Sequence, residues 1–246
     1  MTNRLTSLKD KRNNYVNLSP MICKEGMMLQ ILISPKQFFE TCAGYEPSLK
    51  KPALIILLMS VFTAGSGYLL GELTGRMFSG FMEGIDLITA VSAAVTSFFA
   101  PWFMWLVFAV ILMVMTKILK GSCSFKRYAE IAGYGLLPQL IGSVISLVLA
   151  FWYIPRIQVA PIKVVDPAQI QVLMADFLKN PLMQEYTFLS TILSVILLIW
   201  TANIAAIGLE KCCGLSSKQS LIAAGLPIAG YIIYSLYTLT TMSGWI

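Results

Sequence analysis

The sequence predicts an all-α membrane protein, a polytopic bundle of five transmembrane helices accompanied by short interfacial amphipathic helices. Hydrophobic residues make up 57% of the chain and charged residues only 12%, whereas an average soluble domain has about 45–50% and about 25%. The apolar residues also gather into long stretches that short charged clusters separate. Composition and pattern together argue against a soluble domain.

Five stretches are long enough to cross a bilayer. A helix needs about 20 consecutive apolar residues to cross a hydrocarbon core of about 30 Å, whereas a barrel strand needs only about 10 residues, alternately apolar and polar. Because backbone polar groups in lipid must be paired internally, continuous stretches of this length form helices. We predict spans at about 52–71, 87–116, 131–154, 188–209 and 221–241.

The basic residues predict the orientation. Fourteen of the 18 Lys and Arg residues precede the first span or lie in the loops after the second and fourth spans, and such residues concentrate on the cytoplasmic side. We expect a basic cytoplasmic tail at residues 1–33, a membrane domain at 34–246 and an external C-terminus, in the plasma membrane if the source is prokaryotic. The charges do not form one basic face, so nucleic-acid binding is not indicated.

A short helix is predicted before the first span. Ser34 is a typical N-cap and Pro35 a typical first helical residue. The following turns place Phe38, Phe39 and Cys42 on one face. Because a helix this short cannot cross the bilayer, we expect it to lie in the headgroup plane.

The second and third spans contain potential helix breakers. About 30 residues of helix measure about 45 Å, so the second span must tilt, protrude or bend, and Pro101 is the expected kink. The third span begins with two glycines and a proline at 133–138, which would break a helix unless close packing or a bend compensates, and which predict a kinked, tightly packed helix. Gly142, Gly225 and Gly230 are further positions where helices are expected to approach closely.

The loop after the third span predicts an external amphipathic helix. Asp166 is a typical N-cap, Pro167 occupies the first helical position and Gln169 lies three residues after the cap. Apolar residues then recur at helical spacing until an Asn-Pro pair at 180–181. This helix would rest on the membrane surface or cap the bundle.

The sequence offers little catalytic chemistry. It contains no histidine, phosphate-binding loop or Gly-x-Ser-x-Gly elbow, so we predict no catalytic, cofactor-binding or metal site. Glu130, beside Lys126 and Arg127, is expected to form an ion pair at the membrane boundary. Gln139 and Asn203 are the polar residues deepest in the spans, and we expect hydrogen bonds between helices from them, each contributing about 1 kcal/mol or less.

All five cysteines, Cys23, Cys42, Cys123, Cys212 and Cys213, fall on the predicted cytoplasmic side. Disulfides are not expected there, and no Cys-x-x-Cys spacing suggests a metal site. Cys212 and Cys213 adjoin a membrane boundary, where lipidation is an alternative to a plain structural role.

Several short motifs follow one another in a recognisable order. Ser34-Pro35-x-x-Phe38 precedes the first span, a basic loop with Phe125 follows the second, and Gly133-Tyr134-Gly135 with Pro138 opens the third, followed by Trp200, Gly208 and Ser217. Over roughly Leu32 to Thr241 this order resembles the Yip family in its shorter prokaryotic form. The candidate family-motif and packing residues are Pro35, Phe38, Gly133, Tyr134, Gly135, Pro138 and Trp200.

The resemblance implies five spans, a cytoplasmic N-terminus and no assigned catalysis. Eukaryotic relatives are linked to vesicle trafficking, membrane shaping and recruitment of Ypt/Rab GTPases. Their acidic Asp-Leu-Tyr-Gly-Pro signature is missing here, where Ser34, Pro35 and Phe38 stand instead, which argues against GTPase binding. The expected partners are the lipid bilayer and other membrane proteins or a second copy of the chain.

Two alternatives remain open. A permease or small-solute carrier could use the broken third span, although the spans carry no buried charge and an odd number does not form two inverted halves. A continuous polar path lined by Gln139 and Asn203 would favour it over a compact bundle. A lipid-modifying enzyme would need the polar group Ser122, Ser124, Lys126, Arg127, Tyr128 and Glu130.

Overall fold

The computed structural model describes residues 27–80, 82–159 and 177–243. These ranges hold α1 (Met27–Ile33), α2 (Pro35–Ala43), α3 (Lys50–Met77), α4 (Ile85–Ile118), α5 (Phe125–Gly135), α6 (Leu137–Tyr153), a 3-10 turn (Ile154–Arg156), α7 (Pro181–Cys213) and α8 (Ser217–Ser243). Within them, five helical segments are long and apolar enough to cross a membrane, with α5, α6 and the turn together forming the third. The predicted all-α, five-span membrane architecture is confirmed.

Most of the helices run beyond the predicted spans. The first continues to Met77, and the fourth begins at Pro181 instead of residue 188. Asn180, predicted to end the external helix, caps α7 because its Oδ1 accepts a 3.0 Å hydrogen bond from the Leu182 amide. The external helix itself falls almost wholly outside the described residues, as does the basic tail before α1.

The short helix α5, which is the first part of the third span, lies at the centre of the bundle. α3 packs along α4 and α6, α6 along α7, and α7 along α8, which also contacts α4. α5 packs against α3, α4 and α7, and every residue from 127 to 138 is buried. The third span therefore enters the bundle through its centre.

Three glycines bring α3 and α4 together. Gly67, Gly71 and Gly75 recur every fourth residue and all face α4. A Cβ added at Gly71 would lie 2.6 Å from the carbonyl oxygen of Thr89, which is closer than van der Waals contact permits. Small residues at this spacing let the two backbones approach closely.

The glycines of the last span behave differently. Among the described residues, a Cβ at Gly225 or Gly230 would meet nothing within 4 Å, so the prediction that these glycines permit a close approach is wrong for this part of the chain. At Gly142 that prediction is confirmed, because a Cβ would lie 2.5 Å from Leu197.

Pro101 does not end α4, which runs through it for 34 residues. Because proline has no amide hydrogen, the carbonyl of Ser97 loses its partner within the helix. The Thr63 hydroxyl on α3 lies 3.0 Å from that carbonyl oxygen. It also lies 3.0 and 3.1 Å from the carbonyls of Met59 and Ser60 in its own helix.

α2 forms where predicted, and its apolar face packs against the bundle. Phe38 and Phe39 are only 3% and 1% exposed, because they pack against α5 and α7. Ser34 occupies the N-cap position without a side-chain hydrogen bond. Glu40 forms an ion pair of 2.8 Å with Lys211, which ties α2 to the end of α7.

Candidate functional site

The interruption of the third span organises the two candidate sites. α5 ends at Gly135 and α6 begins at Leu137, so the helix is interrupted at Leu136, where the two glycines and the proline predicted a kink. A buried ion pair lies on the α5 side of the break, and a cavity lies on the α6 side.

The ion pair holds the loop between α2 and α3. Arg127 Nη1 donates to Glu130 Oε2 at 2.6 Å and to the Cys42 carbonyl at 3.1 Å, and Nη2 donates to the Tyr45 carbonyl. Glu130 Oε1 accepts from the Ser48 amide at 3.0 Å. We call these two side chains and the backbone of residues 42–48 the clamp.

The clamp confirms the predicted ion pair and shows that it is buried within the protein. The side chains of Arg127 and Glu130 are only 10% and 6% exposed, whereas Lys126 is exposed. A buried pair is favourable when its remaining hydrogen-bonding groups are satisfied, and the loop backbone provides those partners. A carboxylate with both oxygens engaged in this way is suited to holding the loop rather than to acid–base chemistry.

Next to the clamp, three aromatic rings join α2 to α5. Phe38 and Tyr134 pack edge to face with ring centroids 4.9 Å apart, and Phe39 lies 5.1 Å from Phe38 and 6.4 Å from Tyr134. Two of the candidate motif residues, almost one hundred positions apart in the chain, therefore meet in the core.

Gly133 lies where α5 meets α3 and α4. A Cβ there would lie 3.2 Å from Pro52 Cα and 3.0 Å from Trp105 Nε1, the atom that donates a 2.7 Å hydrogen bond to the Ala129 carbonyl. At Gly135 the nearest atom would be 3.5 Å away, an ordinary contact. Close packing thus requires glycine at the first position and not at the second.

The remaining candidate residues are dispersed. Pro138 is buried in the first turn of α6, and Pro35 is half-buried at the start of α2. Trp200 is partly exposed on the outer surface of α7.

The polar group considered for lipid chemistry has structural roles. The Ser124 hydroxyl accepts from the Arg127 amide and caps α5. The buried Tyr128 hydroxyl accepts from the Cys123 amide at 3.3 Å. Among the described residues, no group of three His, Cys, Asp or Glu could hold a metal ion.

The cavity has a volume of about 470 Å³ and is bordered by α3, α4, α6, α7 and α8. Its wall is mainly apolar, with serine and threonine hydroxyls from four helices, among them Thr63, Ser97, Ser143 and Ser194. No charged residue belongs to the described wall. We call it the central cavity.

Only one of the two predicted intramembrane polar residues lines the central cavity. Gln139 does so, and its Nε2 is buried with no hydrogen-bond partner among the described residues, so this nitrogen does not form the predicted bond between helices. Asn203 is exposed on α7 because its position on the helix faces away from the bundle. A path lined by both residues is therefore not formed.

The structure corrects the expectation for the cysteines. Cys123 and Cys213 form a disulfide with their Cα atoms 5.0 Å apart, because the loop before α5 packs against the end of α7. Cys213 is buried as well as bonded, so it is not accessible for lipidation. The Cys212 thiol faces the Phe39 carbonyl at 3.9 Å.

Sequence reasoning missed two further contacts. The spacing of Gly67, Gly71 and Gly75 is visible in the sequence and could have identified the α3–α4 seam. Pro101 likewise identifies Ser97 as a carbonyl in need of a partner, four residues earlier. The identity of that partner required the packing of α3.

Comparison with known proteins gives one family. A model of the Yip1 domain matches residues 29–239. An uncharacterised protein of Methanocaldococcus jannaschii is 30% identical over 125 residues, which cover 51% of this chain and 89% of that protein. No solved structure matches.

Proposed function

The chain belongs to the Yip1 domain family, and from that premise we propose that it is a non-enzymatic membrane protein that acts through contacts with other membrane proteins, or with its own copies, and organises the surrounding membrane. The family match and the five spans make the chain a Yip1 family protein with membrane-spanning helices.

The clamp is the observation that supports a binding role. In the described part of the chain, Arg127 and Glu130 are the only buried charged residues. They pair with each other, and both form hydrogen bonds with the backbone of residues 42–48. They hold the loop after α2 against the bundle, while the polar face of α2 stays exposed. A rigid, charged surface of this kind suits a docking platform.

GTPase recruitment is not part of this proposal. Phe38, which occupies the region of the missing acidic signature, is buried against Tyr134. It is therefore occupied by the bundle itself and does not offer a contact to a partner.

The proposal places the N-terminus in the cytoplasm and the C-terminus outside, in the plasma membrane if the cell is prokaryotic. The charge asymmetry supports this orientation. The Cys123–Cys213 bond lies at the predicted cytoplasmic end, and disulfides are uncommon there outside hyperthermophiles. Single cysteines placed at Lys36 and at Arg76 in a cysteine-free background test the orientation. Intact cells are treated with a maleimide that cannot cross the membrane. Labelling at Lys36 alone would show that the orientation is reversed.

Affinity purification of the full chain from mild detergent after crosslinking tests the binding role. We expect a reproducible set of membrane proteins, or the chain itself, at several times the level found with an unrelated five-span protein. Lys36→Glu, on the exposed face of α2, should reduce their recovery. Arg76→Glu, at the other end of α3, is the matched control and should leave it unchanged.

An empty crosslinked sample, or equal recovery with both variants, would contradict docking at α2. Solute uptake by vesicles that contain the purified chain, compared with empty vesicles, tests the carrier alternative in parallel. Uptake above the empty control would replace the proposed function.

A further inference from the structure

The central cavity contains a polar group whose hydrogen-bonding need the protein does not meet. Gln139 lines the cavity, and its Nε2 is buried with no partner among the described residues. An unpaired amide donor in an apolar environment is unfavourable. The nitrogen is covered in this rotamer, so an oxygen atom of a bound molecule could accept from it once the Gln139 side chain turns toward the cavity.

The hydroxyl groups of the cavity wall narrow the range of suitable ligands further. Ser66 and Ser143 donate their hydrogens to carbonyls of the preceding turn in their own helices, and Thr63 donates to one of three nearby carbonyls. Their lone pairs remain for a ligand that carries a hydroxyl group. Because the described wall holds no charged residue, a charged headgroup would enter without a counter-charge.

The cavity opens sideways at membrane depth. Ala100 and Met104 lie near the middle of α4, Tyr231 lies on α8, and all three border the cavity and are exposed. Met104 and Tyr231 are 47% and 48% exposed. These exposed border residues point to an opening between α4 and α8, through which an amphiphile could enter from the hydrocarbon with its chain left outside.

We propose that the central cavity binds a neutral glycerolipid, with the Gln139 side chain turning so that its Nε2 donates to an ester or ether oxygen, a glycerol hydroxyl donating to the wall, and the acyl or alkyl chain leaving between α4 and α8. The volume of about 470 Å³ falls in the range of small-molecule sites, about 300–1,000 Å³. This inference does not depend on the proposed docking role, since the cavity and the α2 surface lie on opposite sides of the break at Leu136.

Photolabelling of the full chain in nanodiscs tests the proposal. The probe is a diacylglycerol with a diazirine and an alkyne in one acyl chain, and the comparison probe is phosphatidic acid with the same chain. We expect the neutral probe to label the peptides around residues 97–104 and 139–146 at several times the level of the charged probe. Unlabelled diacylglycerol should compete.

Three variants separate the site from the general lipid surface. Gln139→Leu removes the donor, and Ala100→Trp fills the opening while remaining compatible with an exposed position; each should reduce cavity labelling at least about fivefold. Asn203→Leu, an exposed polar residue of α7 that does not border the cavity, is the matched control and should label normally. Circular dichroism and gel filtration verify folding, and Ala100→Trp alone decides the test if Gln139→Leu does not fold.

Label spread evenly over the lipid-facing helices would overturn the proposal. So would equal labelling by the charged probe, or unchanged labelling in Ala100→Trp, and in those cases the cavity contains water or a lipid bound without selectivity.

Discussion

The Thr63 hydroxyl of α3 lies 3.0 Å from the Ser97 carbonyl oxygen of α4, the carbonyl that Pro101 deprives of its helical partner. Neighbouring helices and hydroxyl side chains commonly satisfy such carbonyls in membrane proteins. The pair therefore explains how α4 tolerates a proline at its centre, and it contributes to the seam that the three glycines of α3 form.

A double-mutant cycle measures this relationship. Thr63→Val should lower the free energy of unfolding in mixed micelles by about 0.6 kcal/mol, the average for hydrogen bonds between membrane helices. In a Pro101→Ala background the helix supplies its own donor to Ser97, so the same substitution should cost less. Thr96→Val, whose hydroxyl bonds only within α4, is the control and should show no coupling. An equal cost of Thr63→Val in both backgrounds would mean that Thr63 serves its own helix.

The clamp predicts that two glutamates contribute very differently to the stability of the chain. Glu130→Gln leaves Arg127 buried without its counter-charge and should destabilise the chain by about 3–5 kcal/mol. Glu72→Gln removes the partner of Arg76, in a pair whose side chains are 45% and 31% exposed, and should cost about 0–1 kcal/mol. Thermal unfolding of both variants in the same detergent provides the comparison. Similar shifts of the melting temperature would contradict the assignment of the clamp.

The elements that the sequence predicted well depend on local patterns. Span number follows from apolar length, and the break near Leu136 follows from the glycines and proline around it. Charge spacing likewise predicted an ion pair at Glu130. Each of these signals lies within a few residues of the feature that it predicts.

Other elements depend on contacts between distant parts of the chain. The short helix α2 looks interfacial in isolation, and only the surface offered by Tyr134 explains the burial of Phe38. The Cys123–Cys213 bond joins residues that are 90 positions apart. No local pattern shows that the cavity beside Gln139 exists, because five helices border it.

Replacing glycine with alanine should affect stability in opposite ways at Gly71, which faces α4, and at Gly225 of α8. Gly71→Ala would place a Cβ 2.6 Å from the Thr89 carbonyl, and such overpacking should cost about 1–3 kcal/mol. Gly225→Ala meets nothing within 4 Å and should be neutral or stabilise α8 by up to about 1 kcal/mol through helix propensity. Unfolding of the two variants in parallel tests the prediction, which fails if Gly71→Ala is as stable as Gly225→Ala.

The aromatic cluster predicts that α2 depends on Phe38. Phe38→Ala should cost about 3–5 kcal/mol, as expected for a large buried side chain, and should expose the following loop to protease. Phe103→Ala, at a position 67% exposed on α4, is the size-matched control and should leave the cleavage pattern unchanged. Identical digestion of both variants and the original chain would show that α2 is held without the cluster.

The disulfide predicts the number of reactive thiols. After denaturation without reductant, a maleimide polymer should label two fewer cysteines than after reduction, because Cys123 and Cys213 are bonded. Cys123→Ser should abolish that difference, while Cys42→Ser, the control, should preserve it. The same Cys123→Ser variant should lose about 2–4 kcal/mol of stability, since the bond no longer restricts the unfolded chain. If all five cysteines of the original chain react before reduction, the two thiols are neighbours in the fold without being bonded, and Cys123→Ser should then leave the melting temperature nearly unchanged.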